Sequence, residues 1–286
     1  MSNVSFEFFP PRTEKAASNL AKNIEILNAY APELMTVTFG AGGSSKDNTA
    51  NIVEEIASKY DTPVASHLTY CGLSKEDIAH YANDIHDKGI RHIIALRGDD
   101  WNSDGQKPAF NDTAEFITWL KQEYDFKIGV GCYPETHPYA TSPEQDLLSL
   151  KSKQDAGADF AISQYFFEND IYYDFCERAH KVGINFPIIP GILPIHNLEQ
   201  VAKFSAKCGA TVPQFIFDSF EKGRAEGIED LDIARDLVTK QAKDLAAHGI
   251  SDLHIYTMNK AVLSTDIIDV FKRSRDGAKT ATFAAE

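Results

Sequence analysis

Along the chain, short runs rich in β-branched and aromatic residues alternate with longer stretches whose apolar residues recur at helical spacing. Residues 4–9 read as the first strand. In residues 14–29, Leu20, Ile24 and Leu27 fall on one face, which predicts a helix. The alternation then repeats. Strands are expected at 34–39, 63–68, 92–96, 127–132, 160–163, 188–192 and 253–257. Helices are expected at 47–58, at 75–88, around Phe116, Ile117 and Leu120, from Pro143 onward, at 171–180 and at 260–271. Two helix starts are well marked: Ser74 with Asp77 three residues later forms a capping box, and Ser142 caps a helix that Pro143 opens. Gly89 suits the left-handed position after the helix at 75–88. Between the seventh and eighth strands the pattern adds three helices, at 198–207, 213–220 and 230–247.

Eight strand–helix units in a chain of 286 residues fit a (β/α)8 TIM barrel, which typically takes roughly 250 residues. The expectation is an α/β chain with a single barrel domain over residues 1–286, extra helices before the last strand, and a polar tail at 276–286 that frays. An open doubly wound sheet alternates in the same way but usually stops at about five or six strands.

Composition narrows the partners. Lys and Arg number 28 against 42 Asp and Glu, a formal net charge of −14. Nucleic-acid binding draws on phosphate neutralisation, and no Lys/Arg-rich run gathers the scarce cations. The longest apolar stretches are broken by Pro and Gly, well short of the roughly 20 residues that span a bilayer. The first residues show neither a basic nor a hydrophobic export region. A cytoplasmic protein acting on small molecules, with neither nucleic acid nor membrane as partner, is therefore expected. Cys71, Cys132, Cys176 and Cys208 are too scattered for a disulfide framework, and no ligand spacing suggests a metal.

A barrel of this kind builds its active site where the strands give way to loops at their C-terminal ends. Those positions hold Glu7; Thr38 with Gly40-Ala41-Gly42-Gly43; His67 with Thr69; Arg97-Gly98-Asp99-Asp100; Tyr133-Pro134-Glu135 and His137; Gln164-Tyr165-Phe166; Pro190-Gly191; and Tyr256 with Asn259 and Lys260. By alternation Glu7 faces away from Phe6 and Phe8, and it reads either as a salt-bridged barrel carboxylate or as a general acid. His67 reads as a satisfied core histidine or as a site residue. Arg97 beside two carboxylates reads as a capped turn or as a cluster that a bound ligand repays. The 40–43 loop falls short of a dinucleotide fingerprint, since Ser45 stands where a third spaced glycine belongs, and reads as backbone able to approach a cofactor.

Taken together, these strand ends resemble the methylenetetrahydrofolate reductase family in its short bacterial form, the catalytic barrel alone. The resemblance runs from residue 4 to residue 271. It rests on Val4-Ser5-Phe6-Glu7-Phe8-Phe9-Pro10-Pro11-Arg12, Thr36-Val37-Thr38, His67-Leu68-Thr69, Ala95-Leu96-Arg97-Gly98-Asp99, Tyr133-Pro134-Glu135 with His137-Pro138, Gln164-Tyr165-Phe166-Phe167, Ile189-Pro190-Gly191-Ile192-Leu193-Pro194 and Tyr256-Thr257-Met258-Asn259. It implies an FAD enzyme that passes a hydride from NADH or NADPH to 5,10-methylenetetrahydrofolate in a ping-pong sequence, giving 5-methyltetrahydrofolate for methionine synthesis. It implies Glu7 as the acid for opening the substrate ring, and Asp99 as the charge that stabilises the iminium cation and tunes the flavin. Thr38, His67, Arg97, Gly98, Asp99, Tyr133, His137, Asp146 and Lys153 match the family's FAD positions. Gln164, Gln200, Phe204, Tyr256 and Lys260, with Glu7 and Asp99, match its substrate positions. Lys260 stands where related sequences often carry Arg, a point charge in place of a fork, and Ser149 and Ser152 replace bulkier residues near the FAD diphosphate. On the residues alone, a flavin-free pterin barrel of the methyltransferase type and a non-catalytic folate or flavin sensor stay open as alternatives. The choice between NADH and NADPH stays open as well, and so does a homo-oligomeric state.

Overall fold

The computed structural model describes residues 3–39, 46–98 and 108–283. Its strands are β1 (Asn3–Phe8), β2 (Leu34–Val37), β3 (Val64–Thr69), β4 (His92–Leu96), β5 (Lys127–Cys132), β6 (Phe160–Ser163), β7 (Ile188–Ile189), β8 (Gly191–Ile192) and β9 (Asp252–Tyr256). All pair in parallel, in the order β7-β6-β5-β4-β3-β2-β1-β9-β8. β7 and β8 are two halves of one run, cut at Pro190, which has no N–H to give to a ladder. One half pairs with β6 and the other with β9, so this broken strand joins the two ends of the sheet and closes the barrel. Pro190 keeps its acceptor role, since His254 N donates to its carbonyl at 2.9 Å. The single strand expected at 188–192 is thus present in two pieces, and eight strand positions encircle the axis.

The helices are α1 (Glu14–Asn28), α2 (Lys46–Lys59), α3 (Lys75–Asp87), α4 (Thr113–Glu123), α5 (Pro143–Asp155), α6 (Asn169–Lys181), α7 (Leu198–Cys208), α8 (Gln214–Ala225), α9 (Asp230–Ala247) and α10 (Val262–Phe283). The caps form as their residues dictate. Ser74 and Asp77 close a capping box on α3, and Ser142 Oγ accepts from Gln145 N ahead of Pro143. Several boundaries differ from the sequence pattern, among them the ends of β2, α8 and α10. β2 stops at Val37 rather than Phe39, although Thr38 N still donates to Phe8 O at 2.9 Å. α10 runs to Phe283, so the backbone of the segment expected to fray is helical over most of its length. Ala278, Lys279 and Ala281 are good helix formers, and extending a packed helix avoids the cost of nucleating a new one. Among the described residues no helix is long and apolar enough to cross a membrane.

Strand alternation sorts the side chains. Val4, Phe6 and Phe8 point outward into the layer under the helices, together with Leu20, Ile24 and Leu27 of α1. Leu34, Ala65, Ile94, Phe160 and Ile162 point inward and make an apolar plug in the barrel, with Tyr256 packed on it. Each fully buried Phe of the outer layer contributes about 1.5–3 kcal/mol. At the closing seam the walls come too close for any side chain at Gly191. A Cβ there would lie 2.3 Å from Ser163 O and 2.5 Å from Tyr256 Cε2. Tyr256 OH donates to Ser163 O at 2.7 Å, and Gly191 N donates to Ser163 Oγ at 2.9 Å, which ties β6, β8 and β9 together.

Candidate active site

Inward-facing polar side chains gather above the plug. Glu7 is paired in register with Thr36 on one side and Tyr256 on the other. Its carboxylate retains 21 % of its exposure and so faces the mouth. His67 Nε2 lies 3.4 Å from Glu7 Oε2 and 3.3 Å from Thr36 Oγ1. Burial lowers the His67 pKa, Glu7 opposes that shift and His254 reinforces it, so the ring is neutral near pH 7. His254 Nε2 lies 3.9 Å from Glu7 Oε2 and has no hydrogen-bond partner among the described residues, whereas its Nδ1 meets Ser5 Oγ at 2.8 Å. Ser5 and Glu7 on β1, Thr36 on β2, His67 on β3 and His254 on β9 therefore form one cluster. Ser5, Thr36 and His254 escape a reading that looks only at the last residue of each strand. The signal was available in their inward parity: Ser5 shares a face with Glu7, and His254 with Tyr256.

A second cluster forms on the rim, where β5 leads into α5. Asp146 Oδ2 accepts from His137 N at 2.8 Å, and His137 Nδ1 accepts from Tyr139 N at 3.0 Å. Burial lowers the His137 pKa, Asp146 opposes, and Lys153 and Arg97 reinforce. A neutral ring whose Nδ1 is an acceptor carries its proton on Nε2 and presents it as a donor. The Tyr133 ring stands edge-on to His137 at 4.4 Å, and the Arg97 guanidinium lies over Tyr139 at 5.8 Å. Lys153, two helical turns beyond Asp146, donates to Gly131 O at 3.1 Å. Its pKa is lowered by burial, with Cys132 and Asp146 opposing.

A third group lies around Tyr165. Gln164 Oε1 accepts from Tyr165 N at 3.0 Å. Phe204, 48 % exposed, stacks on the Tyr165 ring at 6.2 Å, and Tyr256 meets the same ring edge-on at 6.0 Å. Tyr256 is half-buried and its hydroxyl is spent on Ser163 O, so it offers the site a ring face. Gln200 is exposed in the first turn of α7, its N–H donating to the cap residue Asn197. Lys260 is exposed after β9, close enough to His196 to help burial lower that histidine's pKa to about 4.

Two positions bear on a flavin. Thr38 Oγ1 is buried at the end of β2 with no partner among the described residues. Gly98 has φ +93°, and a Cβ there would meet Thr69 Cβ at 3.0 Å, so the β4 end exposes bare backbone. Asp99 and the 40–43 loop lie outside the described residues.

A closed parallel barrel with a carboxylate between two histidines in its mouth, and a cationic, hydrogen-bonding rim beside it, is built as an enzyme. Comparison with known proteins says which kind. The methylenetetrahydrofolate reductase family matches residues 1–272. The 5,10-methylenetetrahydrofolate reductase of Pectobacterium carotovorum subsp. carotovorum is 40 % identical over 266 residues, covering 92 % of this chain and 87 % of the relative. That of Escherichia coli (strain K12) is 38 % identical over 266 residues, covering 92 % and 88 %. The chain belongs to the methylenetetrahydrofolate reductase family and is an oxidoreductase of the folate-reducing kind. Among solved structures, a Clostridium thermocellum protein described as binding two copies of 5-methyl-5,6,7,8-tetrahydrofolic acid shares the fold, with a TM-score of 0.61 at 13 % identity over 96 % of this chain and 95 % of that one.

Proposed function

We propose that this chain reduces 5,10-methylenetetrahydrofolate to 5-methyltetrahydrofolate, drawing hydride from NADH or NADPH through FAD in a ping-pong sequence. The observation that carries the reading is Glu7, a carboxylate held beside neutral His67 yet open to the barrel mouth. The residues present fit a flavin: Thr38 Oγ1 is a buried polar atom without a partner among the described residues, and Gly98 offers backbone without a side chain. Thr38, His67, Arg97, Gly98, Tyr133, His137, Asp146 and Lys153 would hold the FAD, with Asp99 beside it. When bound, FAD supplies hydride transfer, accepting from the nicotinamide and giving to the folate's one-carbon unit.

The side chains then have separable tasks. In its protonated form Glu7 donates, directly or through a water, to the ring nitrogen that departs when the substrate's five-membered ring opens, and is left as a carboxylate facing the iminium cation. Asp99 adds fixed negative charge for that cation. Gln164 hydrogen-bonds the pterin, while Phe204 and the Tyr256 ring give it flat apolar faces, with Gln200 beside them. Lys260 supplies a point charge for the substrate's carboxylate tail. The plug below the cluster keeps water from reaching the site through the barrel axis.

An anaerobic visible spectrum tests the whole reading. The purified chain should carry a flavin band that NADH or NADPH bleaches and methylenetetrahydrofolate restores. A chain that binds no flavin at all overturns the proposal in favour of a flavin-free pterin barrel.

A further inference from the structure

After β9 the chain turns into α10 through residues 257–260, and two consecutive non-glycine residues of that turn, Met258 (φ 51°) and Asn259 (φ 56°), lie in the left-handed region. Asn visits that region more readily than most residues, but Met does not. Such backbone persists where the surroundings over-determine it, and it concentrates at functional sites. Three of the hydrogen bonds that hold it reach back to β1 and the residue after it. Thr257 Oγ1 donates to Glu7 O at 2.7 Å and accepts from Asn259 N at 3.0 Å. The Asn259 side chain grips both polar groups of one peptide residue: its Oδ1 accepts from Phe9 N at 3.0 Å, and its Nδ2 donates to Phe9 O at 2.8 Å. Lys260 N closes the turn on Thr257 O at 2.9 Å.

Their place in the sheet gives these contacts meaning. The backbone register between β1 and β9 ends at Glu7 opposite Tyr256. Beyond it the two side chains take over the pairing that the ladder no longer supplies, on the strand end that carries the carboxylate. A turn needed only to connect β9 with α10 would be met more cheaply by glycine. Instead a strained turn is kept, and it directs an amide and a hydroxyl onto Glu7 and Phe9.

We propose that Thr257 and Asn259 are positioning residues for Glu7: they fix the end of β1 and thereby hold the carboxylate at its 3.4 Å distance from His67. The catalytic consequence rests on the function proposed above; the positioning itself does not. Thr257→Val removes the hydroxyl at constant shape, and Asn259→Gly removes the clamp while accepting the left-handed backbone.

The test reads both levels. In protein labelled with 15N histidine, the His67 ring signals at fixed pH report the nearby carboxylate, and Glu7→Gln defines their position without it. Thr257→Val and Asn259→Gly should each move the His67 signals toward those of Glu7→Gln, and Thr257→Ser should return them. In the flavin-loaded enzyme, reoxidation by methylenetetrahydrofolate should fall about ten- to a hundred-fold, the scale of a roughly 1 Å misplacement, while bleaching by NADH and reoxidation by a quinone stay within about two-fold. Unmoved His67 signals overturn the inference, and so does a parallel fall of the nicotinamide and folate steps. Moved signals in a parent that never reduces the folate uphold the positioning and refute the proposed function instead.

Discussion

Around Glu7 the polar atoms come from β1, β2, β3 and β9, far apart in sequence, and they meet side chain to side chain: Glu7 with His67, His67 with Thr36, Ser5 with His254. Around His137 they come from one loop and the helix that follows it, and they meet the backbone: Asp146 on His137 N, His137 on Tyr139 N, Lys153 on Gly131 O. The first cluster needs strands from both ends of the chain, because it forms only where β9 pairs beside β1. The second is local and needs little more than β5, its loop and α5. On the function proposed above, proton chemistry falls to Glu7 in the first and much of the ligand holding to the second, with His67 as the member of the first cluster that serves both.

The largest separation should come from Glu7→Gln. The amide cannot give up a proton, so the folate step should fall by about 10²–10⁴-fold, the usual worth of a positioned acid. FAD content and bleaching by NADH or NADPH should stay near those of the parent, because the amide keeps the shape of the side chain beside His67 and no rim residue is touched. Stopped-flow measurement of the two half-reactions decides it, and an unchanged folate rate removes Glu7 from the acid role.

Gly191→Ala strikes the closing seam next to β9, the strand that of the two clusters only the first uses. A methyl group 2.3 Å from Ser163 O must push β8 away from β6 or displace Tyr256. Overpacking of this sort costs about 1–3 kcal/mol, and more where backbone is the obstacle. Urea unfolding should show that loss. The folate step should suffer beyond it, since β9 carries His254 as well as the turn that grips β1. A variant as stable as the parent would mean that the seam yields easily and that closure is not what holds the cluster.

Asp146→Ala makes the opposite cut. It leaves His137 N without its acceptor, a hydrogen bond to a charged group worth about 1.5–3 kcal/mol when lost. The expected result is weaker FAD binding, by about ten-fold, read from quenching of flavin fluorescence. At saturating FAD the folate and nicotinamide steps should both return. If the folate step stays depressed under saturation, the two clusters are coupled and the division drawn here fails.

How much of this the sequence discloses follows from the same contrast. The interior cluster is legible by parity. Period-two alternation puts Glu7 opposite Phe6 and Phe8, and the same rule carried one step further down the strands reaches Ser5 and His254. It does not say that His254 leaves Nε2 without a partner, because that depends on where β1 and β9 come into register. The rim is not legible by periodicity, since loop residues such as Tyr133 and His137 have none; resemblance to a family located them, and the hydrogen bonds to Asp146 and Tyr139 give them physical content. The expected strand at 188–192 contains Pro190, but the cut into two pieces that pair with different neighbours is a property of the closed sheet. The end of α10 was missed because polar composition says little about whether a helix already begun will continue.

The last prediction concerns a histidine outside both clusters, which supplies a baseline for the buried rings within them. His196 has its pKa lowered from 6.5 to about 4, first by burial and then by Lys260. The unfolded chain therefore takes up a proton at this residue as pH falls through 6.5, while the native state resists until about 4. Protons bound preferentially by the unfolded state destabilise the fold, so stability should fall with pH across the window from 6.5 to 4 and level off below it at this residue. His196→Gln cannot titrate, so its melting temperature should decline less steeply than the parent's between those two values. Lys260→Met should also flatten the decline by letting native His196 accept its proton at higher pH. Identical slopes in parent and His196→Gln would mean that His196 is protonated equally in both states. Any acid sensitivity that remains in His196→Gln can then be sought in His67 and His137, whose native pKa values burial also lowers, one in each cluster.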